Sequence, residues 1–438
     1  MRRSFLTNTS FVGFSQISSV AAAILISIVL ARYLGPAGKG QVALAMGVSF
    51  ILGQILSLGF DSAAPYFIAS GKLRSQQGIG GCIVTFVLGN TIAFAVVYPL
   101  LITYLANNVF AGVDKNLLLF ASLGCPLYMM RVLINGLMSA HEEFGKQTYH
   151  NCATYMMSIL AALLSLVFLN LGIIGYVKLN VALGCCAVIY GLILLKRITS
   201  LSPEFNISIW LKMLRYGVKS TLSQIFRLID LRLDIFIVNY FAETSVVGIY
   251  TVAAALAGMF GILSSSISFV LLPKTAASDR QQANTRTAAL CRNALCLTVT
   301  FGLLFLIVSK KLIVWMYTES FAGAALAFAL LMPGVAGQAV ARICLTDCSA
   351  RGFPEKATYS TAISALLTIG FDLYLIPKYG IYGAAIASSI AYCTGGVLGL
   401  FWHIKLSGNH LSSLIVPQKS DLKYYRSIMD QIRTKRFV

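Results

Sequence analysis

The stretch "LSQIFRLIDLRLDIFIVNYF" (residues 222–241) is nearly all apolar. It is as long as the ~20 residues a helix needs to cross ~30 Å of hydrocarbon. Yet Arg227, Asp230, Arg232 and Asp234 lie within it. A charge at the bilayer centre costs at least ~2.5–3.5 kcal/mol on insertion scales, so these side chains need partners, a wet cavity, or both.

The rest of the chain has the same character without the charges. Of 438 residues, 58% are hydrophobic and only 11% charged, with a mean hydropathy of +0.79, against ~45–50% apolar content in soluble domains. About twelve runs could each cross a bilayer, near 11–31, 41–69, 79–105, 117–140, 148–170, 173–195, 216–241, 246–272, 289–309, 322–346, 359–376 and 380–404. The reading is an all-α polytopic membrane protein. The polar links are too short to fold as a soluble domain, which excludes a built-in ATPase. "GPAGKG" (35–40) lacks the Gly at Tyr33 and the Ser or Thr at Gly40 that a phosphate loop requires, so it is a turn. The first run follows Met1-Arg2-Arg3 but has no small-residue cleavage site after it, and is expected to be retained as a span. The 10 cysteines lie mostly within spans without a paired C-x-x-C framework, so buried thiols are expected rather than a metal site or disulfides. Nothing in the pattern calls for a metal or another cofactor.

Basic residues are distributed unevenly between alternate links. One set holds Arg2, Arg3, Lys72, Arg74, Lys146, Lys196, Arg197, Lys212, Arg215, Lys274, Arg280, Arg286, Arg292, Arg351, Lys356 and the tail from Lys405; the other holds Arg32, Lys39, Lys115, Lys178, Lys310, Lys311 and Lys378. The richer set faces the cytoplasm by the positive-inside rule, which predicts both termini there. Much of the formal charge of +19 is then topological, and no nucleic-acid partner is implied. The tail "KSDLKYYRSIMDQIRTKRF" (419–437) is expected either along the anionic inner leaflet or in solvent.

The chain also reads as a duplication. Sliding one half over the other brings Ser15-Gln16-Ile17 onto Ser223-Gln224-Ile225, Gly40 onto Gly248, and "GIIG" (172–175) onto "GIYG" (380–383). Two residues further, "SAHEEFGKQTY" (139–149) meets "SARGFPEKATY" (349–359). An even number of spans per repeat gives the halves the same orientation. Two facing bundles are a transporter layout, with a site between repeats near the midplane. The predicted divisions are an N-terminal six-helix bundle over 1–195, an interfacial linker over 196–215, a C-terminal six-helix bundle over 216–404 and a basic tail over 405–438. Within the linker, Phe205, Ile209, Trp210, Met213 and Leu214 suggest a short amphipathic helix on the membrane surface.

At ~100° per residue, Arg227, Asp230 and Asp234 share a face, with Ser220, Ser223 and Gln224 on or beside it, while Arg232 projects away. Arg227 lies ~16 Å and Arg131 ~14 Å from the cytoplasmic ends of their spans at 1.5 Å per residue, so the two guanidiniums are expected to face a shared cavity. Lys219 would stand nearer its mouth, and Arg342 either joins it or snorkels. Guanidinium is a forked donor set that suits phosphate and stays charged when desolvated, so an anionic substrate is the natural complement. Gln224 and its repeat counterpart Gln16 are candidate substrate contacts. Asp230, Asp234 and Asp61 either couple an ion or pair with the arginines; acids beside arginine would keep their charge and oppose protonation at neutral pH.

At this point the residues resemble a family. "LARYLGPAGKGQVALA" (30–45), "LDIFIVNYFAETSVVGIYTVAAAL" (233–256) and "LIPKYGIYGAAIASSIAY" (375–392) are similar to the polysaccharide-exporter branch of the multidrug/oligosaccharidyl-lipid/polysaccharide (MOP) superfamily, and in particular to O-antigen flippases of the Wzx type. The resemblance implies a MATE-like fold of about twelve helices in two bundles that alternate between inward and outward openings. It also implies a monomer that moves an undecaprenyl-diphosphate-linked oligosaccharide across a bacterial inner membrane for lipopolysaccharide or capsule biosynthesis, among membrane lipids and beside polysaccharide polymerase machinery. No bond is made or broken, so no enzyme activity is expected. Lipid II flippases usually carry fourteen spans, which disfavours that branch. The alternatives are a multidrug-type drug or metabolite antiporter, which would favour acidic cavity residues, and a membrane glycosyltransferase or ligase, which would need a larger loop. No filter-like sequence suggests a channel.

Overall fold

The computed structural model describes residues 5–70, 76–108, 110, 112–199, 206–276, 279–418 and 421. Among them there is no strand. The helices are α1 (Phe5–Leu56), α2 (Phe60–Ser70), α3 (Gln76–Asn108), α4 (Lys115–Ser122), α5 (Gly124–Ala140), α6 (Phe144–Ala162), α7 (Gly172–Lys196), α8 (Ile207–Phe241), α9 (Thr244–Ala276), α10 (Arg280–Met316), α11 (Ala324–Ala350), α12 (Pro354–Tyr379), α13 (Ile381–Ser407) and α14 (Leu411–Ile415). Among the described residues, ten helices are long and apolar enough to cross a membrane. The difference from the twelve expected runs has two physical sources. Helix α8, from Ile207 to Phe241, carries the charges discussed above and is not among the ten. Helix α1 counts once although it holds two spans, broken at Gly35 with φ 64 and Pro36 next to it. The side chain of Lys39 reaches Ser27 across that break, whereas a straight helix would separate the two by ~18 Å. The chain therefore doubles back at "GPAGKG". Gly35 supplies the positive φ, and Pro36 starts the second arm without needing an amide donor.

Helices α1 to α7 form one lobe and α8 to α13 the other. An apolar cluster seals them toward the face opposite the chain termini. Leu30, Val42 and Leu44 of the first lobe join Val247, Tyr250 and Leu256 of the second. Gly40 and Gly248, matched by the sequence duplication, meet at this seam. A Cβ on Gly40 would stand 1.8 Å from the Thr244 carbonyl oxygen, and one on Gly248 would stand 2.0 Å from that of Pro36. Pro36 and Thr244 are themselves counterparts in the two halves, so this is one contact repeated across a pseudo-twofold axis. Such backbone approach, possible only without side chains, is how membrane helices pack closely.

Helix α8 stands between the lobes. Asn206 caps it, its Oδ1 accepting from the amides of Ser208 (3.1 Å) and Ile209 (3.3 Å). The linker does not form a separate surface helix here: Ile209, Trp210, Met213 and Leu214 begin the continuous α8, and their apolar face packs on α2 and α3. Trp210 lies 6.1 Å from the Phe60 ring and 6.4 Å from Phe86. Burial against those rings outcompetes an interfacial location. Phe205 lies outside the described residues, as do Arg2, Arg3, Lys72, Arg74 and most of the basic tail.

The described part of the tail clasps α10. Leu414 is buried against Ala288 and Cys291. Arg292 donates to the Asp421 carboxylate through Nε (2.9 Å) and Nη2 (2.8 Å), and through Nη1 to the Ser413 carbonyl. This fork holds the Asp421 carboxyl below its ordinary range. An acid depressed in this way stabilises the clasp at and above neutral pH, and the contribution is lost only as pH falls through the lowered value. Asp421→Asn is accordingly expected to speed proteolysis after residue 410 several-fold at pH 7, while wild type becomes equally sensitive only in strong acid; limited proteolysis across pH checks both.

Candidate functional site

A cavity of about 500 Å³ opens in the first lobe, walled on one side by α8 and α9. Arg131 from α5, Arg232 from α8 and Lys39 from the second arm of α1 line it, with Tyr128, Ser158, Asn180 and Thr251. Two guanidiniums and one buried lysine amine, from three helices, thus border one space. Among the described residues none of them forms an ion pair. Aromatic rings hold the guanidiniums instead: Arg131 lies 5.1 Å from the Tyr155 ring centroid and Arg232 5.8 Å from that of Phe50. Phe50 in turn meets Tyr128 edge-on at 4.7 Å. A cation over an aromatic face gains ~0.5–2 kcal/mol and keeps its donors available, unlike one tied to a carboxylate. Lys39 is buried and donates to the Ser27 hydroxyl (2.5 Å) and carbonyl (3.2 Å), with one ammonium proton left over.

The other residues singled out in the sequence divide into separate groups. Arg227 lies outside the cavity wall; it is exposed, within Coulombic range of Tyr128 and Arg342 and without an ion pair among the described residues. Lys219 is exposed and lines no described cavity. Arg342 turns inward and donates to the Ser265 hydroxyl of α9 at 2.5 Å. Gln224 bridges the lobes: its carbonyl accepts from the Gln54 amide (2.7 Å) and its amide donates to the Ser62 hydroxyl (3.3 Å). Asp61 joins this bridge, accepting from Ser57 (3.3 Å) and Ser62 (3.5 Å). Beside it Gly59 and Gly217 touch, a Cβ on either falling 2.2 Å from a backbone oxygen of the other strand of chain. The lobes are therefore latched here as well as at Gly40 and Gly248. Gln16 lines a separate small pocket.

Asp230 and Asp234 turn away from the arginines into the second lobe. Asp230 accepts from the Thr368 hydroxyl (3.1 Å) and Asp234 from that of Tyr250 (2.5 Å) and the Ile235 amide (2.8 Å). Asp372 of α12 lies within Coulombic range of both, is fully buried, and has no hydrogen-bond partner for either carboxyl oxygen among the described residues. None of the three forms an ion pair among the described residues, and Arg232 stands within Coulombic range of Asp234. No group of three acidic, His or Cys side chains among the described residues is spaced to hold a metal ion. A different acid is fully neutralised: Asp347 accepts from Arg351 (2.6 Å), Thr287 (2.8 Å) and His403 (2.8 Å), a structural cluster at the end of α11.

Sequence reading missed Lys39, placed in a link, and the aromatic supports Phe50, Tyr128 and Tyr155. The signal for Lys39 was present: once Gly35 reverses the chain, Lys39 faces back onto the first arm. Asp372 stands within the apolar run 359–376, and the packing of α12 on α8 brings it near the other two acids.

Two apposed helical lobes, with a cavity in the first walled by helices of the second, have the fold of MOP superfamily transporters. Solved structures agree. The fold resembles the lipid II flippase MurJ in an inward closed conformation (TM-score 0.75, 17% identity, 92% of this chain and 90% of that one). It also resembles an inward-facing multidrug resistance MATE family transporter (TM-score 0.76, 15% identity, 89% and 94%), and a MOP superfamily transporter from Pyrococcus furiosus noted for the reverse polarity of its binding pocket (TM-score 0.67, 14% identity, 91% and 94%). A search of curated proteins finds no match. The profile of the polysaccharide biosynthesis protein family matches residues 5–277, and the chain belongs to that family.

Proposed function

We propose that the protein is a flippase that moves an undecaprenyl-diphosphate-linked oligosaccharide, an O-antigen or capsule repeat unit, across the bacterial inner membrane by alternating access. Both termini lie in the cytoplasm, and polymerising machinery takes the repeat unit on the far side. The observation that carries the reading is the membrane-buried cavity bordered by Arg131, Arg232 and Lys39 without a described acidic partner. A diphosphate supplies the missing negative charge, and forked guanidinium donors suit its oxygens. The sugars lie within the protein while the polyprenyl chain stays in lipid. Arg227 and Lys219, both exposed, attract the anionic headgroup on its way in, and Arg342 steadies α9 behind them.

Turnover needs a driving force, and Asp230, Asp234 and Asp372 are the groups placed to supply it. Binding and release of a proton or sodium ion by these acids would alter how α8 packs on α12, and α8 carries Arg232 into the cavity. Gln224 and Asp61 form the latch that must open on the side of the termini.

Reconstitution in proteoliposomes tests this. The protein is expected to translocate undecaprenyl-diphosphate-linked oligosaccharide and to leave a hydrophobic cation such as ethidium unmoved. An imposed cation gradient should speed wild type and no longer speed Asp372→Asn. Export of ethidium without movement of the lipid-linked sugar would replace this reading with the drug-antiporter one.

A further inference from the structure

A second pocket, of about 220 Å³, lies between the first arm of α1 and the start of α6. Its wall includes Ser15, Gln16, Gln147, Thr148, Asn151 and Tyr155, and no charged residue lines it. On α1 the polar residues recur at helical spacing, Ser15 and Gln16 followed by Ser19; on α6 Gln147, Thr148, Asn151 and Tyr155 do the same. The two polar faces lie toward the starts of α1 and α6 and meet across the pocket.

Part of this wall is already held in place. His150 bonds Asn135 (3.1 Å), Asn135 donates to Asn151 (3.0 Å) and Asn151 donates to Ser15 (3.2 Å), a relay that fixes two pocket residues from behind. Thr148 is tied to the Phe11 carbonyl at 3.0 Å. The side-chain amide of Gln16 and the hydroxyl of Tyr155 have no hydrogen-bond partner among the described residues, and Gln147 makes only a 3.5 Å contact with the Asn135 carbonyl. Free amides and a hydroxyl beside an aromatic ring, on a rigid polar backing, suit vicinal sugar hydroxyls: amides donate and accept at once, and a ring packs on the apolar face of a pyranose. The absence of charge in the lining selects against an acidic or amino sugar.

Position adds the second half of the inference. Tyr155 lines this pocket, and Arg131, whose guanidinium covers the Tyr155 ring at 5.1 Å, lines the large cavity. Thr154 and Ser158, on the same helix, also border the large cavity. Tyr155 is therefore a partition with a phosphate-type donor on one side and uncharged polar groups on the other. We propose that the small pocket is a saccharide subsite for one uncharged hexose or N-acetylhexosamine, the sugar joined directly to the diphosphate. This rests on the flippase reading for the diphosphate, whereas the sugar chemistry of the pocket stands independently.

Binding to the full-length purified protein tests it. The probes are farnesyl diphosphate, its glucose and N-acetylglucosamine conjugates, and the methyl glycosides of those two sugars. Wild type should bind at least one conjugate about tenfold more tightly than bare farnesyl diphosphate. Gln16→Ala and Gln147→Ala, on separate helices and each checked for monodisperse elution, should bring that ratio close to one; if one misfolds, the other decides. Arg131→Ala should weaken all diphosphate probes alike. A methyl glycoside that binds wild type and is lost in Gln16→Ala, with no binding of farnesyl diphosphate, would uphold the subsite and overturn the diphosphate reading. Equal affinity of wild type for bare and sugar-bearing probes, or an unchanged preference in both glutamine variants, would overturn the subsite.

Discussion

Arg131→Ala combined with Arg232→Ala is expected to lower translocation of a lipid-linked oligosaccharide by about 100-fold or more in proteoliposomes, at unchanged protein abundance. The magnitude comes from charge pairs made with the bound diphosphate: truncating one partner of a buried pair costs ~2–5 kcal/mol, the half-buried Arg131 and the exposed Arg232 belong at the low end of that range, and 1.4 kcal/mol is about tenfold. Each single substitution should cost about tenfold or more, and the two should fall short of additivity because both act on one diphosphate. Arg131→Lys should be intermediate, since it keeps the charge and loses the fork. The aromatic supports predict why abundance survives. Arg131 sits over Tyr155 and Arg232 over Phe50, neither in an ion pair with a described acid, and Arg232 acts on Asp234 only at Coulombic range. Had the arginines been tied to Asp230 or Asp234, the same variants would bury an uncompensated carboxylate and lose the fold as well. Wild-type transport by the double variant would remove the cationic cavity from the mechanism, and loss of protein from the membrane would mark the arginines as structural.

The architecture was legible in the sequence because membrane helices announce themselves by length and hydropathy, and because the duplication survives at Gly40 and Gly248. Helix faces were legible only where one helix decides the matter. Arg232 projecting away from Asp230 and Asp234 followed from ~100° per residue, and in the structure it faces the first-lobe cavity while the acids face α9 and α12. Periodicity cannot say which face meets which neighbour. Thus the depth match between Arg131 and Arg227 gave no information on azimuth, and Arg232 lines the cavity wall where Arg227 does not. Lys39 depended on a single backbone reversal at Gly35. The chain's charges were all visible from the start; whom they meet depends on packing between helices far apart in sequence, which no local pattern encodes.

That packing is most exposed to test at the glycine seam. Gly40→Ala would place a Cβ 1.8 Å from the Thr244 carbonyl oxygen, and Gly248→Ala one 2.0 Å from that of Pro36. Both obstacles are backbone in the first turn of a packed helical segment, so no side chain can swing aside and the lobes must separate. Overpacking of this kind costs ~1–3 kcal/mol, occasionally more. The cost falls on whichever conformation closes the seam and spares one that opens it, so the population should shift by about tenfold or more toward opening on the face opposite the termini. Accessibility of Thr251→Cys, introduced in a cysteine-free background at the cavity wall, reports this through labelling by a membrane-impermeant thiol reagent from that face. Labelling should rise about tenfold in Gly40→Ala and equally in Gly248→Ala, because the pseudo-twofold makes the two substitutions the same lesion. Gly89→Ala, where nothing lies within 4 Å of the added carbon, should change nothing. Transport should fall in both seam variants, since a cycle that cannot close one face cannot commit its cargo to the other. Unchanged labelling and transport in Gly40→Ala would mean that the two halves do not meet at these glycines during the cycle. The apolar cluster around Leu44 and Tyr250 would then have to provide the seal alone.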